Sequence, residues 1–424
     1  MRVLSRKQFR LLSVSLALIV FFFASGFGRP WRGFRAKTVS KTAPRPAPRP
    51  PLPPVRLDAQ RLAGYRGVDV LQMPAEGEQW VDSVFQTMTA DQKIGQFFMV
   101  AAFSNHSDNH RIYIEHLIQN YHIGGVIFFQ GGPHRQAVLT NRYQRTSKIP
   151  LFVGIDGEWG LGMRLDSTME FPRQMTLGAI RNNDVIYRMG REIGRQCSRL
   201  GIQINFAPVS DINSNPQNPV IGNRSFGEDK ENVAKKASAY MKGLQQQRVI
   251  ATAKHFPGHG DSNADSHHTL PLISRSSAQM HDVDLYPFRK LIADSLMGVV
   301  TGHLHVPVMD NQTPAIAATL SEKIVTDLLK KELGFRGLVF TDALNMGGIS
   351  HSNRAEVVNL KALIAGNDIL LYPENIREAT RVIHEAVGSG TLSQAFIDEK
   401  VKKILRAKYW SGLSRYKPDR KSVV

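Results

Sequence analysis

Eight short apolar segments, mostly separated by helical segments, constrain the fold of this chain more than any other feature. They are rich in Val, Ile, Phe and Leu and occupy Phe97–Ala102, Gly125–Phe129, Leu151–Ile155, Ile204–Pro208, Val249–Ala253, Gly298–Thr301, Leu338–Thr341 and Asp368–Tyr372. Apolar strands that alternate with helices are typical of a parallel sheet covered on both faces. The number of strands favours a (β/α)8 barrel of the TIM type over an open sheet. We therefore predict an α/β protein with one barrel domain.

The N-terminal sixty residues differ in composition from the rest of the chain. Basic residues precede an apolar run over residues 11–27, which suits either an export signal or a membrane anchor. We divide the chain into a signal peptide or N-terminal membrane anchor (1–28), a basic Pro-rich linker (29–59), the barrel (60–412) and a basic tail (413–424). This organisation predicts an exported protein, either periplasmic or anchored to the outer face of the cytoplasmic membrane.

The charge distribution argues against nucleic acid as a partner. The formal net charge is +18, but residues 1–56 hold twelve of the 54 Lys and Arg residues and no Asp or Glu, so the remainder carries +6. A mildly basic body without a basic aromatic stripe is a weak case for nucleic-acid binding. Cys197 is the only cysteine, which excludes an intrachain disulfide and a cysteine-based metal site.

Polar residues follow five of the eight predicted strands. Because the carboxyl ends of barrel strands converge on one face, we expect these residues to meet there, where barrel enzymes place their sites. They are Asp156 and Glu158 after strand three, Asp211 after strand four, Lys254 and His255 after strand five, His303 and His305 after strand six, and Asp342 after strand seven.

The loop from Lys254 to His268 holds one Lys, two Asp and four His. Three functions suit such a loop: a metal-dependent hydrolase, a non-catalytic glycan-binding module and a glycoside hydrolase. Pro257 and Gly258 exclude the helix that would align His255 and His259 on one metal ion, and the 4 Trp residues offer few aromatic platforms for glycans. Glycoside hydrolysis needs a nucleophile and an acid, and Asp342 at a rigid strand end suits the nucleophile.

Several motifs resemble glycoside hydrolase family 3, and in particular its bacterial β-N-acetylglucosaminidase branch. They are Lys254-His-Phe-Pro-Gly-His-Gly-Asp, Asp265-Ser-His267, Thr341-Asp-Ala-Leu-Asn-Met346, Lys93-Ile-Gly-Gln, Ile155-Asp-x-Glu158, Gly222-Asn-Arg-Ser-Phe-Gly227 and Ala365-Gly-Asn-Asp368. The resemblance extends from about Thr89 to Tyr409. It implies a single catalytic domain that needs no metal and no cofactor.

The same resemblance implies the roles of individual residues. Asp342 is expected to be the nucleophile, His267 the acid/base and Asp265 its partner. A carboxylate bonded to one imidazole nitrogen orients the ring and stabilises its protonated form, so that it can deliver a proton near neutral pH. The residues expected to bind the terminal N-acetylglucosamine are Asp156, Arg164, Arg224, Lys254 and His255. Trp159 stands where the family more often has Gly, which leaves the leaving-group preference open.

These observations predict a retaining β-N-acetylhexosaminidase that removes non-reducing terminal N-acetylglucosamine from peptidoglycan fragments or related oligosaccharides. The expected partner is therefore an oligosaccharide or muropeptide substrate, with membrane attachment through residues 11–27 if that run is uncleaved. A β-glucosidase and an N-acetylglucosaminide phosphorylase of the same family are alternatives, followed by the metal-dependent hydrolase and the glycan-binding protein. The sequence leaves the number of subunits open.

Overall fold

Eight parallel strands form the centre of the protein. The computed structural model describes residues 72–266, 269–350 and 355–416; the predicted signal or anchor (1–28) and linker (29–59) lie outside these residues, as do residues 417–424. The strands are β1 (Phe98–Phe103), β2 (Gly125–Gln130), β3 (Phe152–Ile155), β4 (Ile204–Asn205), β5 (Ile250–Phe256), β6 (Gly298–Thr301), β7 (Leu338–Thr341) and β8 (Leu370–Leu371).

The order of the strands confirms the predicted (β/α)8 barrel. From β1 to β7 each strand pairs in parallel with the next, and β8 pairs in parallel with β1. A parallel bridge between Phe340 and Ile369 connects β7 with the start of β8, and the Thr341 amide donates to the Ile369 carbonyl at 3.0 Å. The carboxyl ends of all eight strands therefore lie on one face of the barrel.

Helices follow or precede the strands and cover the outside of the barrel. They are α1 (Ala75–Gln86), α2 (Ala90–Gly95), α3 (Asp108–Tyr121), α4 (Pro133–Thr146), α5 (Gln174–Gly178), α6 (Asn183–Arg199), α7 (Lys230–Gln246), α8 (Tyr286–Ala293), α9 (Lys323–Glu332), α10 (Ala355–Ala365), α11 (Ile376–Gly388) and α12 (Gln394–Trp410). Helix α9 and the segment Met280–Asp284 are wound as π-helix. No helix in the described part of the chain is both long and apolar enough to cross a bilayer.

Large side chains fill the barrel where glycines leave room for them. A Cβ atom at Gly125 would lie 2.6 Å from Met99 Cε, and one at Gly154 would lie 2.9 Å from the ring of Phe206. The rings of Phe206 and Phe340 meet edge to face at 5.3 Å between centroids. Since these residues are buried and come from β1, β2, β3 and β7 and from the residue after β4, the interior is a packed core rather than a channel.

The strand β5 is longer than predicted. It continues through Phe256, so Lys254 and His255 belong to the strand and do not follow it. The extension arises because Lys254 forms a parallel bridge with Val209 and Phe256 pairs with Thr301 of β6. At the other end of the chain Leu413 is buried, so the described residues beyond 412 pack against the barrel.

Candidate active site

A cavity of about 590 Å³ opens at the carboxyl ends of the strands. Its volume is ordinary for a site that binds a small molecule. Apolar lining residues come from β2, β6 and β8, and Trp159 and Tyr372 also line it. The cavity brings together six of the predicted site residues: Asp156, Arg164, Arg224, Lys254, His255 and Asp342.

Five charged residues, which we call the charged cluster, lie at and beneath one side of this cavity. Lys254 Nζ lies 2.6 Å from Asp156 Oδ1 and 2.7 Å from Glu158 Oε1. Arg164 donates to the other carboxylate oxygen of Asp156 and to its backbone carbonyl. Arg224 binds Glu158 in a bidentate manner, with Nε 3.0 Å from Oε2 and Nη2 2.7 Å from Oε1. The Glu158 side chain is fully buried.

The charged cluster keeps both of its carboxylates ionised. Burial by itself would raise the pKa of Asp156 and Glu158, because the charged form loses its hydration. The opposing effect of Lys254 and Arg164 lowers the pKa of Asp156 below its usual range, and Arg224 and Lys254 lower that of Glu158. Asp156, which lines the cavity, can therefore accept strong hydrogen bonds from the hydroxyls of a ligand.

A second buried carboxylate, Asp211, orients His255. It lies 2.7 Å from His255 Nδ1 and accepts the backbone amides of His255 and His259 at 3.0 and 2.7 Å. The contact at Nδ1 fixes the ring, and the other ring nitrogen then lies 3.4 Å from Arg224 Nη2. Burial opposes the ionisation of Asp211, but His255 lowers the pKa of this carboxyl. Asp211 thus links the segment after β4 to the end of β5.

Asp342 is the first residue after β7 and lines the cavity. Its amide donates to the Thr301 carbonyl at 3.0 Å, and its Oδ1 accepts the Ala343 amide at 2.8 Å. Burial would raise the pKa of this carboxyl, but the imidazoles of His255 and His303 and the Ala343 amide lower it. An ionised carboxylate held on a rigid strand end can attack an electrophilic carbon in the cavity.

The loop after β5 is fixed at its base. The Asn218 amide donates to the carbonyls of His259 and Gly260 at 2.8 and 3.1 Å. Gly260 is required here because a Cβ atom would lie 1.6 Å from the Ile212 carbonyl oxygen. His259 Nε2 lies 3.1 Å from Ser266 Oγ; both side chains are buried, and Ser266 lines the cavity. These contacts hold the loop against the cavity as far as Ser266.

The two residues of the predicted acid/base pair lie at the end of this loop. Asp265 directly precedes Ser266, is half-buried and accepts the Thr269 amide at its backbone carbonyl at 3.1 Å. It is not one of the residues that line the cavity. His267 and His268 lie outside the described residues, so the pairing of Asp265 with His267 stays a prediction.

The two histidines after β6, His303 and His305, are not among the residues that line the cavity. His303 is buried, with Nδ1 2.9 Å from Thr319 Oγ1 and Nε2 3.0 Å from the Ala343 carbonyl. His305 Nδ1 lies 3.4 Å from the Ile316 carbonyl. Among the residues that the structure describes, no group of three His, Cys, Asp or Glu side chains could hold a metal ion.

Comparison with known proteins identifies the family. The family model described as glycosyl hydrolase family 3 N terminal domain matches residues 89–407. The chain belongs to glycoside hydrolase family 3.

Two curated relatives and one solved structure show the extent of this family 3 similarity. Beta-hexosaminidase A of Pseudoalteromonas piscicida is 34% identical over 326 residues, which are 70% of this chain and 54% of that protein. A beta-N-acetylglucosaminidase/beta-glucosidase of Cellulomonas fimi is 29% identical over 347 residues, 80% of this chain and 61% of that protein. The solved family 3 β-N-acetylglucosaminidase from Paenibacillus sp. str. FPU-7 is 34% identical with a TM-score of 0.71, covering 77% of this chain and 63% of that one. The chain thus spans less than two thirds of the length of each.

Two buried carboxylates, Glu158 and Asp211, contact cavity-lining residues without lining the cavity themselves, and the sequence assigned neither of them a role. Each follows a predicted strand closely, and Glu158 stands two residues after Asp156. A carboxylate that close to a buried strand needs a cationic or hydrogen-bonding partner, and this need is the feature of the sequence that indicates a role for both residues. The partner itself is visible only in the structure.

Proposed function

We propose that this family 3 chain is a retaining β-N-acetylhexosaminidase that removes non-reducing terminal N-acetylglucosamine from peptidoglycan fragments or related oligosaccharides. The observation that carries the proposal is Asp342, an ionised carboxylate on a strand end, in the same cavity as the charged cluster. The names of the relatives from Pseudoalteromonas piscicida and Paenibacillus support the choice of sugar.

Two chemical steps follow from this arrangement. In the first, an Asp342 carboxylate oxygen attacks the anomeric carbon, the glycosidic bond breaks, and the leaving oxygen takes a proton from His267. In the second, water attacks the same carbon, His267 accepts a proton from that water, and the bond to Asp342 breaks. Two inversions at one carbon retain its configuration. Asp265 orients the His267 ring in both steps.

The charged cluster would bind the terminal sugar. Asp156 accepts from sugar hydroxyls, and Lys254 and Arg164 donate to hydroxyl oxygens while holding Asp156 in place. Arg224 and His255, whose nearest side-chain nitrogens lie 3.4 Å apart, would also contact the sugar. Because these groups are already paired, they do not reorganise when a neutral sugar enters.

Hydrolysis of an aryl β-N-acetylglucosaminide tests the proposal. We expect native protein to release the aryl alcohol and Asp342→Asn to lose at least about a thousandfold in kcat, because removal of a nucleophile abolishes the covalent step. Asp327→Asn, which changes an exposed carboxylate on α9, is the control and should keep the native rate. Native-like circular dichroism of Asp342→Asn would show that the fold is intact. Equal rates for the two variants would refute the role of Asp342.

Two further substrates separate the alternatives within the family. An aryl β-glucoside hydrolysed faster than the N-acetylglucosaminide would identify a β-glucosidase. Product analysis in the presence of inorganic phosphate would identify a phosphorylase if sugar 1-phosphate forms in place of the free sugar. The proposal requires the free N-acetylglucosamine in both buffers.

The role of His267 is tested with leaving groups of different acidity. His267→Ala should slow a disaccharide, whose leaving alkoxide needs a proton, far more than a nitrophenyl glycoside, which leaves as a stable anion. Equal losses on both substrates would contradict the acid role.

We place the protein outside the cytoplasmic membrane. The basic residues before the apolar run of residues 11–27 support export. Cell fractionation combined with N-terminal sequencing distinguishes the outcomes: a new N-terminus near residue 28 indicates cleavage, the intact chain in the membrane fraction indicates an anchor, and recovery in the cytoplasm contradicts export.

A further inference from the structure

A cation that takes no part in the charged cluster stacks on an aromatic ring that lines the cavity. Trp159 lines the cavity, and the guanidinium carbon of Arg173 lies 3.4 Å from the centre of its ring. Trp159 is half-buried and Arg173 is exposed. A guanidinium that stacks on a ring keeps its N–H groups in the plane parallel to that ring, where they remain able to donate to a planar acceptor.

The backbone holds this pair in position relative to the charged cluster. The Phe171 amide donates to the Trp159 carbonyl at 2.8 Å, which brings the two segments together. Gln174 directly follows Arg173, is buried, and its side-chain amide donates to the Arg224 carbonyl at 2.6 Å. The backbone next to Arg173 is therefore fixed to the segment that carries a residue of the sugar site.

The charge of Arg173 is not neutralised within the described part of the chain. The cations that line the cavity, Lys254, Arg164 and Arg224, each contact a carboxylate of the charged cluster. No ion pair and no side-chain hydrogen bond joins Arg173 to another described residue. Its donors are thus available to a ligand that contacts the exposed side of Trp159.

We propose that Trp159 and Arg173 form a leaving-group subsite that binds a carboxylate on the sugar next to the bond that is cleaved. This inference rests on the proposed function, in which the charged cluster binds the terminal sugar. The rest of the substrate must then leave the cavity towards solvent, and Arg173 is the exposed member of the pair. The planar fork of a guanidinium matches a carboxylate, so the preferred substrate class is a β-N-acetylglucosaminide of an acidic, carboxylate-bearing sugar.

A pair of disaccharides that differ in one charge tests the subsite. One is N-acetylglucosamine linked β-1,4 to N-acetylmuramic acid, and the other is the same disaccharide with its lactyl carboxylate converted to the methyl amide. We expect native protein to have a kcat/KM roughly threefold to tenfold higher for the acid, mainly through KM, because the pair is only partly shielded from water. High salt should reduce this ratio.

Variants of Arg173 show whether the preference comes from this residue. Arg173→Gln should bring the ratio close to one, and Arg173→Glu should bring it below one. Arg181→Gln, which changes another exposed arginine, should keep the native ratio and the native rate. An unchanged ratio in Arg173→Gln, or equal rates of the native protein on acid and amide, would overturn the inference.

The same assays give a different result if the proposed function itself is wrong. Native protein that hydrolyses neither the aryl N-acetylglucosaminide nor either disaccharide would refute that function, and this inference with it. Native protein that hydrolyses the aryl substrate but shows no preference for the acid would refute the subsite alone.

Discussion

The contact between Glu158 and Arg224 allows a quantitative prediction. Glu158→Gln removes the charge of a fully buried carboxylate that makes a bidentate contact with Arg224 and a 2.7 Å contact with Lys254. The substitution keeps the size of the side chain and one acceptor oxygen, so it leaves two cations with less than their native compensation. We therefore expect a loss of stability caused by charge and not by packing.

The size of the loss follows from the burial of the pair. Removal of one partner from a buried ion pair costs about 3–5 kcal/mol, because the remaining charge stays in a medium of low polarity. Since glutamine keeps one hydrogen-bond acceptor and Asp156 still contacts Lys254, we place Glu158→Gln at the lower end, about 3 kcal/mol. That loss is a large part of the roughly 5–15 kcal/mol that stabilises a typical domain.

Urea unfolding at pH 7, followed by tryptophan fluorescence, measures the loss. Glu192→Gln is the matched control, because Glu192 pairs with Arg195 on an exposed surface of α6 and such pairs contribute at most about 1 kcal/mol. The pH dependence gives a second check. The folded pKa of Glu158 lies below its usual value, so its contribution is complete above the unfolded pKa of about 4.3 and is lost as the pH falls through the folded pKa.

Two results would refute this reasoning. One is a Glu158→Gln protein whose free energy of unfolding at pH 7 equals that of Glu192→Gln. The other is a difference between the native protein and Glu158→Gln that grows as the pH falls below 4. Either would mean that Glu158 is not held as a carboxylate between Arg224 and Lys254.

Three further predictions concern buried polar residues. Ser266→Ala removes the contact with His259 Nε2 and should lower kcat about twofold to tenfold on a disaccharide. The loss of kcat on a nitrophenyl glycoside should be smaller, and equal losses on the two substrates would show that the contact is purely structural. Asp211→Asn weakens the charge-assisted bond to His255 and should lower kcat/KM on the nitrophenyl substrate roughly 10- to 100-fold; a native value would contradict this role. Burial lowers the pKa of Lys408 to about 7, so folding releases a proton and the free energy of unfolding rises between about pH 7 and 10. Urea unfolding at about pH 7 and pH 9 should show a smaller rise for Lys408→Met, and an unchanged rise would contradict the assignment.

The strands show how much of the fold local sequence patterns predict. Strands β6 and β7 begin and end at the predicted residues, since each is a short apolar run buried on both faces. The eighth was predicted over Asp368–Tyr372, but the strand spans only Leu370–Leu371, preceded by the single bridge at Ile369. Asp368 uses its carboxylate to accept the Val339 amide at 2.9 Å, and Tyr372 has a φ of 51°, which ends the strand. Both causes depend on tertiary contacts that a periodic pattern does not contain.

The site likewise contains residues whose positions the strand pattern predicts and residues whose positions it does not predict. The convergence of Asp156, Lys254 and Asp342 was predictable, because residues at the carboxyl ends of barrel strands meet on one face. Arg164 and Arg224 lie in the connections that follow β3 and β4, and only the resemblance to the family placed them in the site. The positions of these two side chains at the cavity depend on backbone conformations that the strand pattern does not determine.

By itself, the sequence determined the barrel, the order of its strands and the polar residues at their carboxyl ends, because alternating apolar segments allow few other folds. Tertiary structure alone decided the partners: Lys254 contacts Asp156 across 98 residues of chain, and Arg173 stacks on Trp159 instead of pairing with a carboxylate. The physical reason is that the ionisation and the role of a buried charge depend on its distances to other charges and to water. Sequence spacing places a side chain on a face, whereas the packing of distant loops selects its partner.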